Sequence, residues 1–175
     1  MTSRPKVGLK FPSVSCVNPD GDSVTLAQPT GKWHMIVVYR GAHCPRCVTY
    51  LRKLAVLLPK FEALGVIVTG VTSDPRDRAR EFLFRNKVEV PFVAELSPES
   101  MRTLGLYISD PRDAKETDQQ FPEPGLFIVN PDGILQTADI SNAASFRPDL
   151  DVVLDGVDAM INKGMPIRGL ADEGL

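Results

Sequence analysis

Two periods of apolar residues meet near the first quarter of the chain. Met35-Ile36-Val37-Val38-Tyr39 is an unbroken apolar run of strand length, the pattern of a strand buried on both faces. Cys47, Leu51, Leu54, Leu58 and Phe61 then recur at steps of four, three, four and three, which is one face of an α-helix. That helix is predicted to reach about Leu64, kinked by Pro59 and closed by Gly65 as its C-terminal cap.

The remaining pattern supplies the other elements. Val14-Ser15-Cys16-Val17 and Val24-Thr25-Leu26 flank Asn18-Pro19-Asp20-Gly21-Asp22 and predict a β-hairpin after a loose lead-in over residues 1–10. Gly65 to Val71 reads as a second buried strand. Asp74-Pro75 reads as an N-cap and first-turn proline for a helix carrying Ala79, Phe82 and Leu83 and ending near Asn86. Val90 to Val93 is a short extended piece, and Ser97-Pro98-Glu99 opens a short helix by the same capping logic. Residues 109–120 are polar without period and read as a surface loop. Leu126-Phe127-Ile128-Val129 turns at Asn130-Pro131-Asp132-Gly133 into Ile134-Leu135-Gln136, an antiparallel pair. Leu150, Val153, Leu154, Val157, Met160 and Ile161 mark a last amphipathic helix, and 163–175 reads as a loosely ordered tail. The expectation is α/β: a mixed central sheet with helices on both faces and an N-terminal β-hairpin. One domain over 1–175, with its core over 9–162, is expected.

Composition narrows the class without choosing the chemistry. The 175 residues are 43% hydrophobic, enough for a substantial core. Net charge is −2 with both signs interspersed, so neither a nucleic-acid partner nor a charged tail is expected. No apolar run approaches the ~18 residues of a membrane span, and no signal peptide is read at Met1 to Gly8. Three cysteines without an export signal imply a reducing compartment, and the cytoplasm is expected.

Chemistry concentrates at Cys44-Pro45-Arg46-Cys47, where the buried strand becomes the helix. The thiolate is cysteine's reactive form, and the free N–H groups and positive dipole end of a helix N-terminus favour it. Pro45 suits the first turn because its missing N–H would have had no partner there. Residues i and i+3 on a helix lie about 5–6 Å apart at Cβ, so small adjustments bring the two sulfurs within disulfide reach. A bridge over so short a loop adds little stability, and the pair makes sense as one that opens and closes. Two other readings compete: inert buried thiols, or a soft-metal site for which only Cys16, His34 and His43 remain as further ligands. His43 is either an imidazolium partner for the thiolate or a solvated loop residue shaping the site. Arg40 either lowers the thiolate pKa or sits as a strand-end surface residue. Trp33 is read as packing and Cys16 as an inert strand residue.

A Cys-Pro-x-Cys at a strand-to-helix junction, with a proline opening a later strand, resembles the thioredoxin fold, and the tetrapeptide is most similar to that of glutaredoxins. Three blocks resemble the peroxiredoxins of the alkyl hydroperoxide reductase/thiol-specific antioxidant family over roughly 9–162. They are the hairpin with Pro19-Asp20-Gly21, Tyr-Arg-Gly-x-x-Cys-Pro-x-Cys-x-x-x-Leu-x-x-Leu over 39–54, and Gly-Leu-Phe-Ile-Val-Asn-Pro-Asp-Gly-Ile-Leu over 125–135, followed by an arginine-containing loop and a final helix. The resemblance implies that Cys44 attacks a hydroperoxide, that Cys47 resolves it as an intramolecular disulfide, and that a thioredoxin- or glutathione-type thiol recycles the pair. It implies no cofactor and no metal, and it admits a homodimer. Arg40, Gly41, His43, Pro45 and Arg46 would shape the site, and Pro124 would match the cis-proline that faces the cysteines. Some positions depart from the family pattern. Gly41 stands where Thr or Ser is usual, Pro124 stands where a peroxide-polarising Arg is usual, and Val38 stands where thioredoxins carry a buried Asp. Arg40, Arg46 and Arg147 remain as sources of positive charge. The alternative is a thiol-disulfide oxidoreductase acting on protein or glutathione disulfides.

Overall fold

A computed structural model describes residues 4–171. In chain order its elements are β1 (Ser15–Val17), β2 (Ser23–Thr25), β3 (Trp33–Val38), α1 (Pro45–Ala63), β4 (Val66–Val71), α2 (Arg76–Arg85), β5 (Phe92–Val93), α3 (Pro98–Thr103), β6 (Ile108–Ser109), β7 (Phe121–Pro122), β8 (Gly125–Val129), β9 (Leu135–Ile140) and α4 (Leu150–Asn162). The central sheet has the order β5-β4-β3-β8-β9. β3, β4 and β5 run parallel, whereas β8 and β9 are antiparallel additions. β1 and β2 form the predicted hairpin.

β3 occupies the middle and feeds two cores. Met35, Val37 and Tyr39 pack with Leu51, Leu54 and Phe61 of α1, Leu150 and Val157 of α4, and Phe82 and Leu83 of α2. Ile36 and Val38 face Met101 of α3, Leu104 and the hairpin residues Val14, Cys16 and Leu26. The alternation along β3 thus places helices on both faces, as the apolar pattern predicts.

Helix α1 passes through Pro59 as one element and ends at Gly65, whose φ of +78° and N–H donated to Glu62 O give the expected cap. Helix α3 begins as expected, with Ser97 Oγ accepting the Ser100 N–H. Helix α2 does not. Its N-cap is Pro75 with no side-chain cap bond, because the Asp74 carboxylate is turned inward to another partner. Residues 163–171 form no helix or strand, yet Met165 O accepts Gln136 Nε2 at 3.2 Å. Residues 1–3 of the expected lead-in and 172–175 of the expected tail lie outside the described residues.

Candidate functional site

Cys44 is the N-cap of α1 and Pro45 its first residue, so the strand–helix junction falls where the pattern places it. The Cys47 N–H donates to Cys44 Sγ at 3.2 Å. Cα atoms of the two cysteines are 5.3 Å apart and their sulfurs face each other within bonding distance. Each residue is only 1% exposed, so a reactant reaches the sulfurs only where the walls around them part.

The turn before Cys44 depends on a contact invisible to local pattern. Gly41 adopts φ +133°, and a Cβ there would lie 2.6 Å from Asp74 Oδ2. That oxygen accepts the Ala42 N–H at 2.6 Å, and Arg78 Nη1 stands 3.7 Å from the other. Burial raises the Asp74 pKa; the Ala42 N–H and Arg78 act against it. The Asp-Pro dipeptide reads as a helix cap, and only the fold brings Asp74 across to the cysteine turn.

Arg40 is committed to carboxylates. Its Nη2 lies 3.4 Å from Glu116 Oε1, and its Nε lies 3.3 Å from Glu123 Oε2 as a charge contact without aligned hydrogen-bond geometry. Its guanidinium covers the Phe121 ring at 4.6 Å. Glu123 is held in turn: its N–H donates to Tyr107 O at 2.8 Å, and its Oε1 accepts Ser109 Oγ at 2.7 Å.

Pro124 corrects the resemblance. No peptide bond among the described residues is cis, so Pro124 is trans. Its carbonyl accepts the Ser141 N–H at 3.0 Å, which extends the β8–β9 ladder and occupies the group that would otherwise dock an extended substrate. Pro124 is a buried strand-opening residue beside Tyr50 and Arg147.

His43 is half-buried, with both ring nitrogens out of contact with solvent. Its ring lies 4.4 Å from Phe121, and neither ring nitrogen has a hydrogen-bond partner. Burial first, and Arg40 second, lower its pKa, so it is held as the neutral imidazole and does not supply an imidazolium. Residues 109–120 are more than a surface loop. They leave the short β6–β7 ladder and return as a strap tied down by Asp118 to Arg78 at 2.7 and 2.9 Å, by Gln119 Nε2 to Ser73 O at 2.7 Å, and by Glu116 to Arg40 and Arg112. Between strap and turn lies an open cleft of about 680 Å³ whose floor includes Ala42, His43, Asp74 and Arg78.

On the other side stands Arg147. Its Nη2 donates to Cys47 Sγ at 3.0 Å, its Nη1 to Ala144 O, and its guanidinium lies 5.1 Å from the Tyr50 ring centre. Tyr50 OH donates to Pro148 O at 3.0 Å and fixes the loop that carries Arg147. Burial draws the Arg147 pKa down to about 10. Arg46 is exposed and lines a second cleft of about 340 Å³ with Tyr50, Lys53, Ser145 and Arg147. Pro45 is exposed in the first turn of the helix.

The metal reading finds no third ligand. Cys16 is buried in the hairpin, where desolvation pushes its thiol up to about 12, and His34 Nε2 lies 3.0 Å from Thr30 Oγ1. Among the described residues no group of three or more His, Cys, Asp or Glu side chains gathers.

The model of the AhpC/TSA family matches residues 7–138. A 1-Cys peroxiredoxin of Medicago truncatula is 26% identical over 135 residues, 73% of this chain and 60% of the relative. The chain therefore spans about three-fifths of that relative's length. A Mycobacterium tuberculosis protein provisionally named a peroxiredoxin is 24% identical over 156 residues, 86% of this chain and 98% of its own. Among solved structures, a peroxiredoxin-like protein of Aquifex aeolicus superposes with a TM-score of 0.76 at 19% identity, covering 91% of this chain and 90% of that one. A cysteine-to-serine mutant of peroxiredoxin 6 of Arenicola marina gives 0.78 at 18% identity, over 96% and 86%. These likenesses establish the thioredoxin-like fold.

Proposed function

This chain belongs to the AhpC/TSA family, and from that premise we propose that it is a thiol-dependent peroxidase whose attacking residue is Cys44. The Cys44 thiolate attacks one oxygen of a hydroperoxide, an S–O bond forms as the O–O bond breaks, and the alcohol or water leaves with a proton. The Cys47 thiolate then attacks the sulfenic sulfur, an S–S bond forms, and hydroxide leaves as water. An external reductant, one dithiol of thioredoxin type or two molecules of glutathione, reduces the pair by two exchanges.

One observation carries the reading: Cys44 caps α1, receives the Cys47 N–H on its sulfur, and faces a second sulfur within bonding distance. A thiolate there is favoured by the helix N-terminus, and its oxidised form has a captor beside it. Arg40, Gly41, His43 and Pro45 shape the turn around Cys44, Arg46 lines the cleft on the Arg147 side, and a peroxide would enter between the strap and His43. The same reading places the chain in a reducing cytoplasm, as one domain, and admits a homodimer that sedimentation would reveal.

The test is stopped-flow mixing of the reduced chain with hydrogen peroxide and an organic hydroperoxide. Oxidation far faster than that of a free thiol, lost in Cys44→Ser, is expected. A rate no greater than a free thiol's would sink the proposal.

A second reading is favoured by Gly41 and Pro124, which lack the hydroxyl and guanidinium expected of a peroxide site. In it Cys44 attacks a disulfide on a protein or glutathione and Cys47 releases the mixed disulfide. Cys47→Ser would then accumulate a mixed disulfide in cell extract; recovering none would remove this alternative.

A further inference from the structure

Of the two sulfurs, the buried-side arginine touches the second. Arg147 Nη2 lies 3.0 Å from Cys47 Sγ, whereas Cys44 Sγ takes its hydrogen bond from the Cys47 main-chain N–H. The guanidinium is fixed by Ala144 O and by the Tyr50 ring. Among the described residues it forms no ion pair with a carboxylate, and its Nε is buried without a partner. A cation partly withdrawn from water without an anion is costly, and a disulfide sulfur is a weak acceptor. A thiolate at Cys47 would be the missing anion.

We propose that Arg147 is a catalytic residue of Cys47 rather than of Cys44: it holds the Cys47 sulfur as a thiolate whenever the disulfide opens. The proposal rests on the thiol-redox reading of the pair. During reduction a thiolate of the external dithiol attacks Cys44 Sγ, a new S–S bond forms to Cys44, and the old bond breaks with its electron pair on Cys47 Sγ. A stabilised leaving thiolate speeds that step. The dithiol's second sulfur then attacks the mixed disulfide and frees Cys44. In the closing direction the same thiolate is already deprotonated for attack on the oxidised Cys44. The other charged or titratable groups around Arg147 are Tyr50, Arg46, Lys53 and Asp149 along its cleft and, farther off, Arg40, Glu123 and Asp139. Asp149 is paired with Lys53 at 2.7 Å, and each acid would oppose a thiolate at Cys47.

The test reads each cysteine alone in the full chain, through the pH dependence of iodoacetamide alkylation. In Cys44→Ser, Cys47 is expected to ionise well below the ordinary thiol value of about 8.5. Adding Arg147→Met should raise its pKa by a unit or more, a several-fold loss of thiolate at neutral pH, and Arg147→Lys should recover part of it. In Cys47→Ser, Arg147→Met should move the Cys44 pKa less. Independently, at a pH above the Cys47 pKa of both chains, the redox equilibrium of the unmodified pair against a dithiol buffer should shift about tenfold toward the disulfide in Arg147→Met, about 30 mV more reducing. A Cys47 pKa at or above the ordinary value with Arg147 intact overturns the assignment, even if the Met variant does not fold. So does an equal or larger shift at Cys44. These readouts involve no peroxide, so a slow reaction with peroxide would refute the peroxidase reading and leave this one standing.

Discussion

The carboxylate of Asp74 occupies the space that any side chain at residue 41 would fill, and it uses that space to accept the Ala42 N–H at 2.6 Å. The glycine, the aspartate and the cysteine turn are therefore one unit. Restoring the family's hydroxyl with Gly41→Thr would strain a φ of +133° and collide with Asp74. It is expected to cost on the order of 2–3 kcal/mol and to slow Cys44 oxidation. Urea unfolding measures the cost. Pairing it with Asp74→Ala should return part of the loss, and strict additivity in the double variant would show that the two residues do not share the space.

Asp74 also gives stability a pH dependence of defined sign. Burial raises its pKa from 3.8, so the folded chain holds the proton more tightly than the unfolded chain. Its stabilising contribution is complete below that ordinary value and is lost as pH rises through the folded-state value. Asp74→Asn keeps an acceptor for the Ala42 N–H but does not titrate. The difference in unfolding free energy between wild type and variant should move in the variant's favour as pH climbs from 4. A difference independent of pH would contradict a buried, titrating Asp74.

The sequence makes the scaffold legible because strands and helices write their periods locally. The run at 35–39 and the helical spacing of Leu51, Leu54 and Phe61 place the junction, and the Cys-Pro-x-Cys there places the chemistry. Asp74 is illegible because Asp-Pro is a good local cap, whereas its actual partner lies 32 residues away. The strap is illegible because polar residues without period look the same whether solvated or pinned by Arg40 and Arg78. Arg147 reads as a spare charge, but its target sulfur, 100 residues away, depends on how α4 docks on α1. The cis-proline expectation fails: Pro124 is trans, and its carbonyl is taken up by Ser141 in the β8–β9 ladder.

Ion pairs that pin an exposed strap should make access to Cys44 sensitive to salt. Asp118 with Arg78 lies at the outer edge of the cleft, where added ions screen charges, whereas the Glu116 side chain is 5% exposed and joins the exposed Arg112 to Arg40. Asp118→Asn and Glu116→Gln are each expected to raise the alkylation rate of reduced Cys44 several-fold at low ionic strength; in high salt the gain of Asp118→Asn should vanish, while that of the nearly buried Glu116→Gln should persist in part. Both acids are held down to about 2, Glu116 by the Arg112 N–H and guanidinium and Asp118 by Arg78. Their hold is complete above the ordinary values of 4.5 and 3.8 and is lost as pH falls toward 2. The protection factors of amides 112–118, taken relative to the intrinsic exchange rate at each pH, should fall over that window. Alkylation indifferent to both substitutions and salt would show that the strap does not control entry.

His43 sets the other edge of the entry and titrates nearer neutrality. Burial and Arg40 lower its pKa from 6.5, so between the folded value and 6.5 the unfolded chain binds more protons. The stability it contributes is present above 6.5 and is lost as pH falls from there through the folded value. His43→Phe keeps a ring against Phe121 without a titrating group. The urea midpoint of the wild type should therefore drop between pH 7.5 and 5.5 by more than that of the variant. Because the imidazole is neutral where Cys44 reacts, the alkylation profile of Cys44 in Cys47→Ser should keep a single inflection after His43→Phe. A second inflection near 6.5 in the parent Cys47→Ser chain, abolished by the substitution, would instead make His43 the thiolate's charged partner.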